Sequence, residues 1–303
     1  MTNQTRRQFI KTSVAAFAVT TLPGMSFRPA WEQKELLGLQ LYSVRDDMKA
    51  DPLATLKAIA AIGYRHVEHA NYANRKFYGW PAREFKKVLN DLGMSMPSGH
   101  TVLGTQHWDN IAKDFTKEWK YTVEDAATMG QQFVISPWLD EKLRQTYDGL
   151  LRQMEIFNRC GELCKKSGMK FGYHNHDFEF SQKLNGMTVY DIILQNTDPS
   201  LVMQQLDTGN LFNGGVKAID IVRQYPGRFE SMHVKDEIPL KSDPEKYEST
   251  IVGSGIAEVA EVLTLGRNAG GAVHFIVEQE AYQGKTALAC AKENYTVMKG
   301  WGY

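Results

Sequence analysis

Eight repeats of an apolar run followed by a helix-like segment constrain the fold of this 303-residue chain more than any other feature of its sequence. The runs have the length of strands and lack polar alternation, which is typical of strands covered on both faces in a parallel sheet. Several intervening segments stop at a glycine, where a helix is expected to end. The predicted strands are Leu36–Leu41, Tyr64–His69, Met94–His100, Phe133–Ser136, Lys170–His176, Leu201–Asp207, Phe229–Val234 and His274–Glu278.

Eight such units without a break in composition predict one α/β domain over residues 36–303, a closed (β/α)8 TIM barrel. The competing architecture is a doubly wound open sheet, which favours a glycine-rich turn after its first strand. Here Gln40-Leu41-Tyr42-Ser43-Val44-Arg45 follows that strand and contains no glycine, which favours the barrel. The loop Lys235–Gly255 is expected to be long and polar. The predicted helices are Pro52–Ile62, Pro81–Leu92, Thr116–Met129, Leu139–Ser167, Val189–Gln195, Ala218–Gln224, Ile256–Asn268 and Ala287–Lys299.

The N-terminal residues predict export. Arg6 and Arg7 precede a short apolar run from Thr12 to Leu22, which resembles a twin-arginine signal and is too short to span a bilayer. We expect residues 1–30 to be signal peptide and linker, and the protein to be periplasmic or otherwise exported, with no stable membrane span afterwards. A basic amphipathic helix is the alternative, and cleavage of the signal stays open.

Composition limits the classes of partner. Lys plus Arg and Asp plus Glu each total 35, so the formal net charge is zero, which argues against a nucleic-acid partner or an anionic membrane. Three cysteines without a repeated spacing predict buried thiols rather than a disulfide framework. The sequence has no Walker-type phosphate loop, so a phosphorylated substrate is not predicted. A homo-oligomer stays open.

Ligand-type residues gather where the predicted strands end. Six of the eight strand ends carry His, Asp or Glu, and the carboxyl ends of barrel strands share one rim, where active sites form. Two imidazoles and two carboxylates suit one borderline divalent ion, with Mn²⁺ or Zn²⁺ expected. The predicted metal ligands, from the last four strands, are His174, Asp207, His233 and Glu278.

Other residues of this rim are candidates for catalysis and substrate binding. Glu278 and His176 are the predicted acid/base groups. Lys235 lies two residues past His233, on the same face of the strand, and is expected to meet an oxyanion or a carboxylate. An ion pair within its own loop is the alternative for Lys235, and simple rim packing is the alternative for the aromatic residues. The predicted substrate contacts, with a small-molecule carbohydrate, are Tyr42, Glu68, His100 and Trp138.

Five motifs carry a resemblance to a known family. They are Gly38-Leu39-Gln40-Leu41-Tyr42-Ser43, Tyr173-His174-Asn175-His176-Asp177-Phe178-Glu179, Asp207-Thr208-Gly209-Asn210, Met232-His233-Val234-Lys235-Asp236 and Val277-Glu278-Gln279-Glu280. With them, most of Leu36 to Gly300 resembles the xylose-isomerase-like barrel superfamily, in its sugar phosphate isomerase/epimerase branch. The resemblance implies a metal-dependent isomerase or epimerase that removes a proton next to a carbonyl of a keto-sugar or related polyol.

The family's usual ligands are Glu, Asp, His and Glu on the last four strands, and His174 stands where the first glutamate is expected. Family epimerases use two opposed glutamates, so this departure leaves the second base open between His176 and Glu280. A lyase or dehydratase acting on a keto-sugar, an inosose or a 3-keto-glycoside is the first alternative. A non-catalytic carbohydrate-binding protein is the second. A nuclease related to the abasic-site endonucleases is disfavoured, because it needs a basic groove.

Overall fold

The computed structural model describes residues 36–303 and confirms the predicted closed barrel of eight parallel strands. Strand β1 pairs in parallel with both β2 and β8, which closes the sheet. Every strand boundary lies within two residues of its predicted position. The barrel strands are β1 (Leu36–Gln40), β2 (His66–His69), β3 (Ser95–His100), β4 (Phe133–Ser136), β5 (Lys170–His174), β6 (Val202–Asp207), β7 (Ser231–Val234) and β8 (His274–Val277).

One main helix follows each barrel strand, and local signals explain several helix ends. Helix α1 begins with Pro52 after Asp51, whose side chain accepts a hydrogen bond from the Ala54 amide at 3.0 Å. It stops before Gly63, whose φ of 129° suits glycine alone. The main helices are α1 (Pro52–Ile62), α2 (Ala82–Asp91), α3 (Lys117–Met129), α4 (Tyr147–Lys165), α5 (Val189–Asn196), α6 (Ala218–Gln224), α7 (Val259–Leu265) and α8 (Ala287–Gly300).

Two helix predictions were too long. The segment Leu139–Ser167 contains a separate 3-10 turn, Glu141–Arg144, and α4 starts only after Thr146, whose hydroxyl accepts from the Gly149 amide at 3.1 Å. The segment Ile256–Asn268 is helical only from Val259, and its C-terminal end continues as a π-turn. In both segments the apolar period continues past a break in the backbone hydrogen bonds, so periodicity alone overestimates the helix.

Short antiparallel hairpins, which the sequence analysis did not predict, occupy four loops at the carboxyl ends of the strands. The largest falls in the predicted polar loop and is fixed by Asp236, whose carboxylate accepts the backbone amides of Gly253 and Ala257 at 2.8 and 3.0 Å. The hairpin strands are Tyr72–Ala73, Lys76–Phe77 and Trp80–Pro81; Trp108–Asp109 and Asp114–Phe115; Lys183–Leu184 and Met187–Thr188; and Asp236–Leu240 and Asp243–Thr250.

Alternation along the strands separates the apolar core from the polar barrel interior. Leu39 and Val67 belong to one buried cluster with Leu56 of α1, between the sheet and its helices. Their neighbours Gln40 and Glu68 therefore face the inside of the barrel, where both are fully buried. The fold thus requires these interior polar groups to bond to one another.

Two further predictions concern the chain outside the barrel and its cysteines. The predicted signal peptide and linker, residues 1–30, lie outside the described residues. Within residues 36–303, no helix has both the length and the apolar character needed to cross a membrane. The three cysteines, Cys160, Cys164 and Cys290, are buried free thiols, as expected from the sequence.

Candidate metal centre and active site

The structure brings together the four residues predicted as metal ligands. Each offers one nitrogen or oxygen atom, and these four atoms lie within 4.8 Å of one another. The four come from consecutive strands, because the strand order in the barrel follows the chain. All are buried, and they are His174 at the end of β5, Asp207 at the end of β6, His233 in β7 and Glu278 directly after β8.

The Asp207 carboxylate indicates what the cluster holds. Its Oδ1 accepts the backbone amides of Gly209 and Asn210, both at 2.8 Å. Its Oδ2 is buried without a hydrogen-bond partner, 3.8 Å from His233 Nδ1 and 3.9 Å from His174 Nε2. A buried carboxylate oxygen left without a partner is costly. A divalent cation between two imidazole nitrogens and two carboxylate oxygens fits this donor set.

Lys235 balances the negative charge of the cluster. Its ammonium lies 3.2 Å from Glu278 Oε2 and 3.7 Å from Asp207 Oδ2, and it also pairs with Glu280. Burial opposes ionisation of Glu278, but Lys235 and His233 outweigh burial and lower the pKa of this carboxyl well below its ordinary value. Burial raises the pKa of Asp207, and Lys235 partly offsets that rise. Lys235 is buried beside these carboxylates and is not among the residues that line the cavity.

Glu68, a predicted substrate contact, is fully buried below the predicted ligands and is not among the residues that line the cavity. Its Oε1 lies 2.6 Å from His233 Nε2 and accepts from Gln40 Nε2 at 2.8 Å. Its Oε2 accepts from Ser98 at 2.5 Å and from Gln205 at 2.9 Å. With both oxygens occupied and no exposed surface, Glu68 has no atom left for a sugar. It instead fixes the orientation of the His233 ring.

His100 lines the cavity beside these ligands. Its Nε2 lies 2.7 Å from Gln205 Oε1 and 3.1 Å from Glu68 Oε1. A second set of ligand-type nitrogens is formed by His100, His174 and His233. We favour the set that contains Asp207, because only there does a buried carboxylate oxygen lack a partner.

His176 lies between the cluster and the cavity. Its backbone amide donates to Glu179 Oε2 at 2.9 Å, while its Nδ1 is buried without a partner. Burial and the Lys235 charge lower the pKa of His176 to about 4, so the ring is neutral at neutral pH. Its centroid lies 5.2 Å from that of His174 and 5.2 Å from that of Trp138. His176 therefore offers a neutral imidazole at the edge of the metal cluster.

A cavity of about 740 Å³ opens over the cluster at the carboxyl ends of the strands. Its volume falls within the range of ordinary ligand pockets, about 300–1,000 Å³. Tyr42 and Trp138 are 43% and 42% exposed and flank the opening, which leaves their rings free to contact a ligand. The predicted site residues that line it are Tyr42, His100, Trp138, His174, His176 and Glu278.

Several residues of the site were missed from the sequence. Gln205 lies two residues before Asp207, so the period of two would have placed it on the same strand face. Asn210 belongs to the quoted Asp207 motif, and its side chain accepts from Lys235 Nζ at 3.0 Å. Gly209 is required there, because a Cβ atom would lie 2.7 Å from the Lys235 side chain. Tyr72 and Arg75 carry no comparable signal, since a two-residue strand has no readable period.

Comparison with known proteins supports the family resemblance. A family profile described as xylose isomerase-like TIM barrel matches residues 56–298. An inosose dehydratase of Geobacillus kaustophilus is 24% identical over 154 residues, which cover 51% of this chain and 42% of that protein. The match therefore spans less than half the length of that curated relative.

Solved structures share the whole barrel. A sugar phosphate isomerase/epimerase from Parabacteroides distasonis is 25% identical, with a TM-score of 0.73, over 91% of this chain and 96% of that chain. The IOLI protein, whose crystal structure contains a zinc atom, is 12% identical, with a TM-score of 0.67, over 88% and 97% of the two chains. At the latter identity the likeness concerns the fold alone.

Proposed function

This chain belongs to the xylose isomerase-like TIM barrel family, and we propose that it is a metal-dependent sugar isomerase or epimerase. The reaction is removal of a proton next to a carbonyl of a keto-sugar or related polyol, and return of a proton to the substrate. One observation carries this proposal: buried His and carboxylate ligands from four consecutive strands converge around the unpartnered Asp207 Oδ2, directly below the cavity.

The proposed cofactor is one divalent ion, Mn²⁺ or Zn²⁺, held by the four converging residues. Mixed nitrogen and oxygen ligands suit both ions. When bound, such an ion supplies a Lewis acid that polarises the substrate carbonyl and makes the neighbouring C–H more acidic. The proposed ligands are His174, Asp207, His233 and Glu278.

The proton transfers are assigned to Glu278 and His176. Glu278 lines the cavity, and the Lys235 ammonium favours its ionised form, so this carboxylate is the proposed proton acceptor. His176 also lines the cavity and burial favours its neutral ring, so we assign it as the second acid/base group. Lys235 acts through its contacts with Glu278 and Glu280 rather than by touching the substrate.

Proton exchange in D₂O tests this function. The Mn²⁺-loaded protein is incubated with a panel of keto-sugars, inososes and 3-keto-glycosides, and NMR follows deuterium incorporation and products. We expect deuterium at the carbon beside the carbonyl, together with an isomeric product. Asp207→Ala should abolish both and lose metal by elemental analysis while circular dichroism stays unchanged. Retention of the full metal content in that variant would show that the ligand assignment is wrong.

Elimination is the second candidate reaction, and two observations favour it. His174 stands where the family's epimerases carry a glutamate, and curated relatives from several bacteria are named inosose dehydratases. The same experiment separates the two reactions, because a lyase releases water or a glycosyl leaving group whereas an epimerase only inverts a centre. Absence of both product and exchange across the panel would favour a non-catalytic carbohydrate-binding protein.

We also propose export by the twin-arginine pathway, because Arg6 and Arg7 precede a short apolar run. Arg6→Lys combined with Arg7→Lys should leave the protein in the cytoplasm, since the receptor reads both guanidinium groups. Cell fractionation in a host with this pathway measures the effect. Equal periplasmic amounts of the variant and the unchanged protein would contradict export by this route.

A further inference from the structure

We propose that the cavity contains a second saccharide-binding subsite, so that the substrate is a glycoside or disaccharide rather than a free monosaccharide. The inference rests on the proposed function, because it assumes that the keto-bearing unit lies at the metal cluster. The distal wall of this subsite consists of Tyr72, Arg75, Glu118 and Tyr121, all of which line the same cavity as His174 and Glu278.

The first argument is size. The cavity volume of about 740 Å³ lies in the upper half of the range of about 300–1,000 Å³ that is typical of pockets for drug-sized ligands. A free hexose is smaller than such ligands and would fill only part of this space. A second ring joined to the first would occupy more of this space.

The second argument is position. The metal cluster comes from β5 to β8, which form one half of the barrel mouth. The distal wall comes from the hairpin after β2 and from the first turns of α3, after β3, and so from the opposite half. A ligand that contacts both must extend across the mouth of the barrel. The loops of different strands supply separate contacts in this way in TIM barrels.

The third argument is that the distal wall is built in advance. Asp125 of α3 is buried and accepts two hydrogen bonds from the Arg75 guanidinium, at 2.7 and 3.0 Å. The same carboxylate accepts the Tyr72 hydroxyl at 2.7 Å. The Arg75 guanidinium carbon lies 4.0 Å from the centroid of the Tyr121 ring. One buried acid therefore fixes two residues of the distal wall, and a third packs against them.

The backbone of the hairpin supports the same reading. Asn74 and Arg75 have φ values of 50° and 62°, which are the left-handed values of a type I′ hairpin turn. Such a turn joins the paired strands Tyr72–Ala73 and Lys76–Phe77 tightly. A tight turn, tied to α3 by Asp125, holds the distal wall at a fixed distance from the barrel. A fixed wall favours binding because its side chains lose little conformational freedom when the ligand binds.

The charge of the distal wall selects a neutral ligand. The Arg75 guanidinium is neutralised by Asp125 and lies 3.0 Å from a Glu124 oxygen. Glu118 adds a further acid to the lining. Within the described lining of this cavity Arg75 is the one arginine or lysine, so a phosphate or sulfate group would meet no uncompensated cation there. Hydroxyl groups and an apolar ring face suit the aromatic and carboxylate groups of this wall.

Calorimetric titration of the Mn²⁺-loaded full chain tests the subsite with two matched pairs of probes. The first pair is D-fructose and lactulose, and the second is methyl 3-keto-β-glucoside and cellobiose oxidised to the 3-ketone on its non-reducing ring. In at least one pair we expect the disaccharide to bind at least tenfold more tightly, which corresponds to about 1.4 kcal/mol. Tyr121→Ala should remove most of this difference and leave the small probe unaffected, and Tyr121→Phe should retain it.

The outcomes separate the subsite from the proposed function. Equal affinities within both pairs in the unchanged protein would overturn the subsite, even if Tyr121→Ala did not fold, because this comparison needs no variant. Proton exchange on the small probes would then still support the proposed function. Failure of all four probes to bind, with full metal content, would overturn both proposals. A disaccharide preference that survives Tyr121→Ala would overturn the assignment of the distal wall.

Discussion

The two halves of the barrel mouth are built differently. In the half formed by β5 to β8, the chemical groups lie on the strand ends themselves and are buried, as with Asp207 and His233. In the half formed by β1 to β4, His100 ends a strand and Trp138 follows one, but the distal wall of the cavity comes from a hairpin and a helix, and Arg75 keeps 43% of its side chain exposed. Groups that must hold an ion need the rigidity of strands, whereas groups that contact a variable ligand tolerate loops.

The two halves also differ in how deeply their charged groups are buried. The first half concentrates buried charges, and Glu278 and Glu68 raise the pKa of His233 to about 10 against the opposing effect of burial. In the distal wall of the second half, the main ion pair joins the partly exposed Arg75 to Asp125. We therefore expect substitutions in the first half to change metal binding, turnover and pH dependence, and those in the second to change ligand affinity.

The largest effect should come from Glu278→Gln. The substitution keeps the shape of the side chain and removes the carboxylate that is proposed to move the proton. A general base contributes on the order of 10²–10⁴-fold in rate, so kcat should fall at least that far. Initial rates on the substrate identified by proton exchange, with metal content measured in parallel, check this. An unchanged kcat in a fully metal-loaded variant would contradict the role of Glu278.

The half of the mouth formed by β5 to β8, here called the chemical half, could be predicted from the sequence for a physical reason. Strand ends meet at one rim whatever the loops do, so His174 and Glu278 could be brought together from their positions in the chain alone. The direction of a side chain inside the barrel was harder to predict. Glu68 faces the barrel interior as the ligands do, but Ser98 and Gln205 bind its carboxylate there, a pairing that its position in the strand does not reveal.

The half formed by β1 to β4, here called the recognition half, could not be predicted in the same way. The strands of its hairpin are two residues long, so they show neither alternation nor an apolar run. The contact between Arg75 and Asp125 joins residues fifty positions apart, and the sequence around neither residue predicts it. The hairpin in the loop Lys235–Gly255 was missed for a similar reason. Asp236 closes this loop by accepting backbone amides, and every residue except proline has such an amide, so residue type gives no signal.

A buried acid that is not a proposed ligand gives the next largest effect. Burial raises the pKa of Glu179 to about 7, although hydrogen bonds from the Tyr173 hydroxyl and the His176 amide lower it. Asp177 also raises this pKa, and the Tyr190 hydroxyl is a further titratable group affected by the Glu179 charge. Because the folded-state pKa exceeds the unfolded one, stability is fully present below about pH 4.5 and is lost as pH rises through about 7.

Glu179→Gln should therefore stabilise the protein at pH 8 relative to pH 5. The shift from 4.5 to about 7 corresponds to about 3 kcal/mol in the free energy of unfolding. Urea unfolding of variant and unchanged protein at both pH values measures the difference between them. Glu162→Gln, which removes a carboxylate at an exposed position of α4, serves as the control. Equal differences at pH 5 and pH 8 for Glu179→Gln would contradict the raised pKa.

The smallest expected effect concerns Glu68, which belongs to one half of the barrel mouth and contacts the other. Glu68 belongs to β2, in the recognition half, yet its Oε1 lies 2.6 Å from His233 Nε2 in the chemical half. A carboxylate behind a ligating imidazole fixes its orientation and raises its basicity, and removal of such a partner typically costs about 10–100-fold in metal affinity. Glu68→Gln should cause a loss of that size. The substitution removes the carboxylate, and it can place an NH₂ group opposite the Gln205 amide that donates to Glu68 Oε2.

Competition of the apo-protein against a metal-sensitive dye measures this affinity, and the barrel offers a matched control. Glu230 pairs with Lys170 at 2.5 Å, at the start of β5 and hence at the amino-terminal end of the barrel, away from the cluster. Glu230→Gln also removes one carboxylate from an ion pair, but it should leave metal affinity unchanged. If both variants bound metal as the unchanged protein does, Glu68 would be a purely internal hydrogen-bonding group. The chemical half would then depend on its own four strands alone.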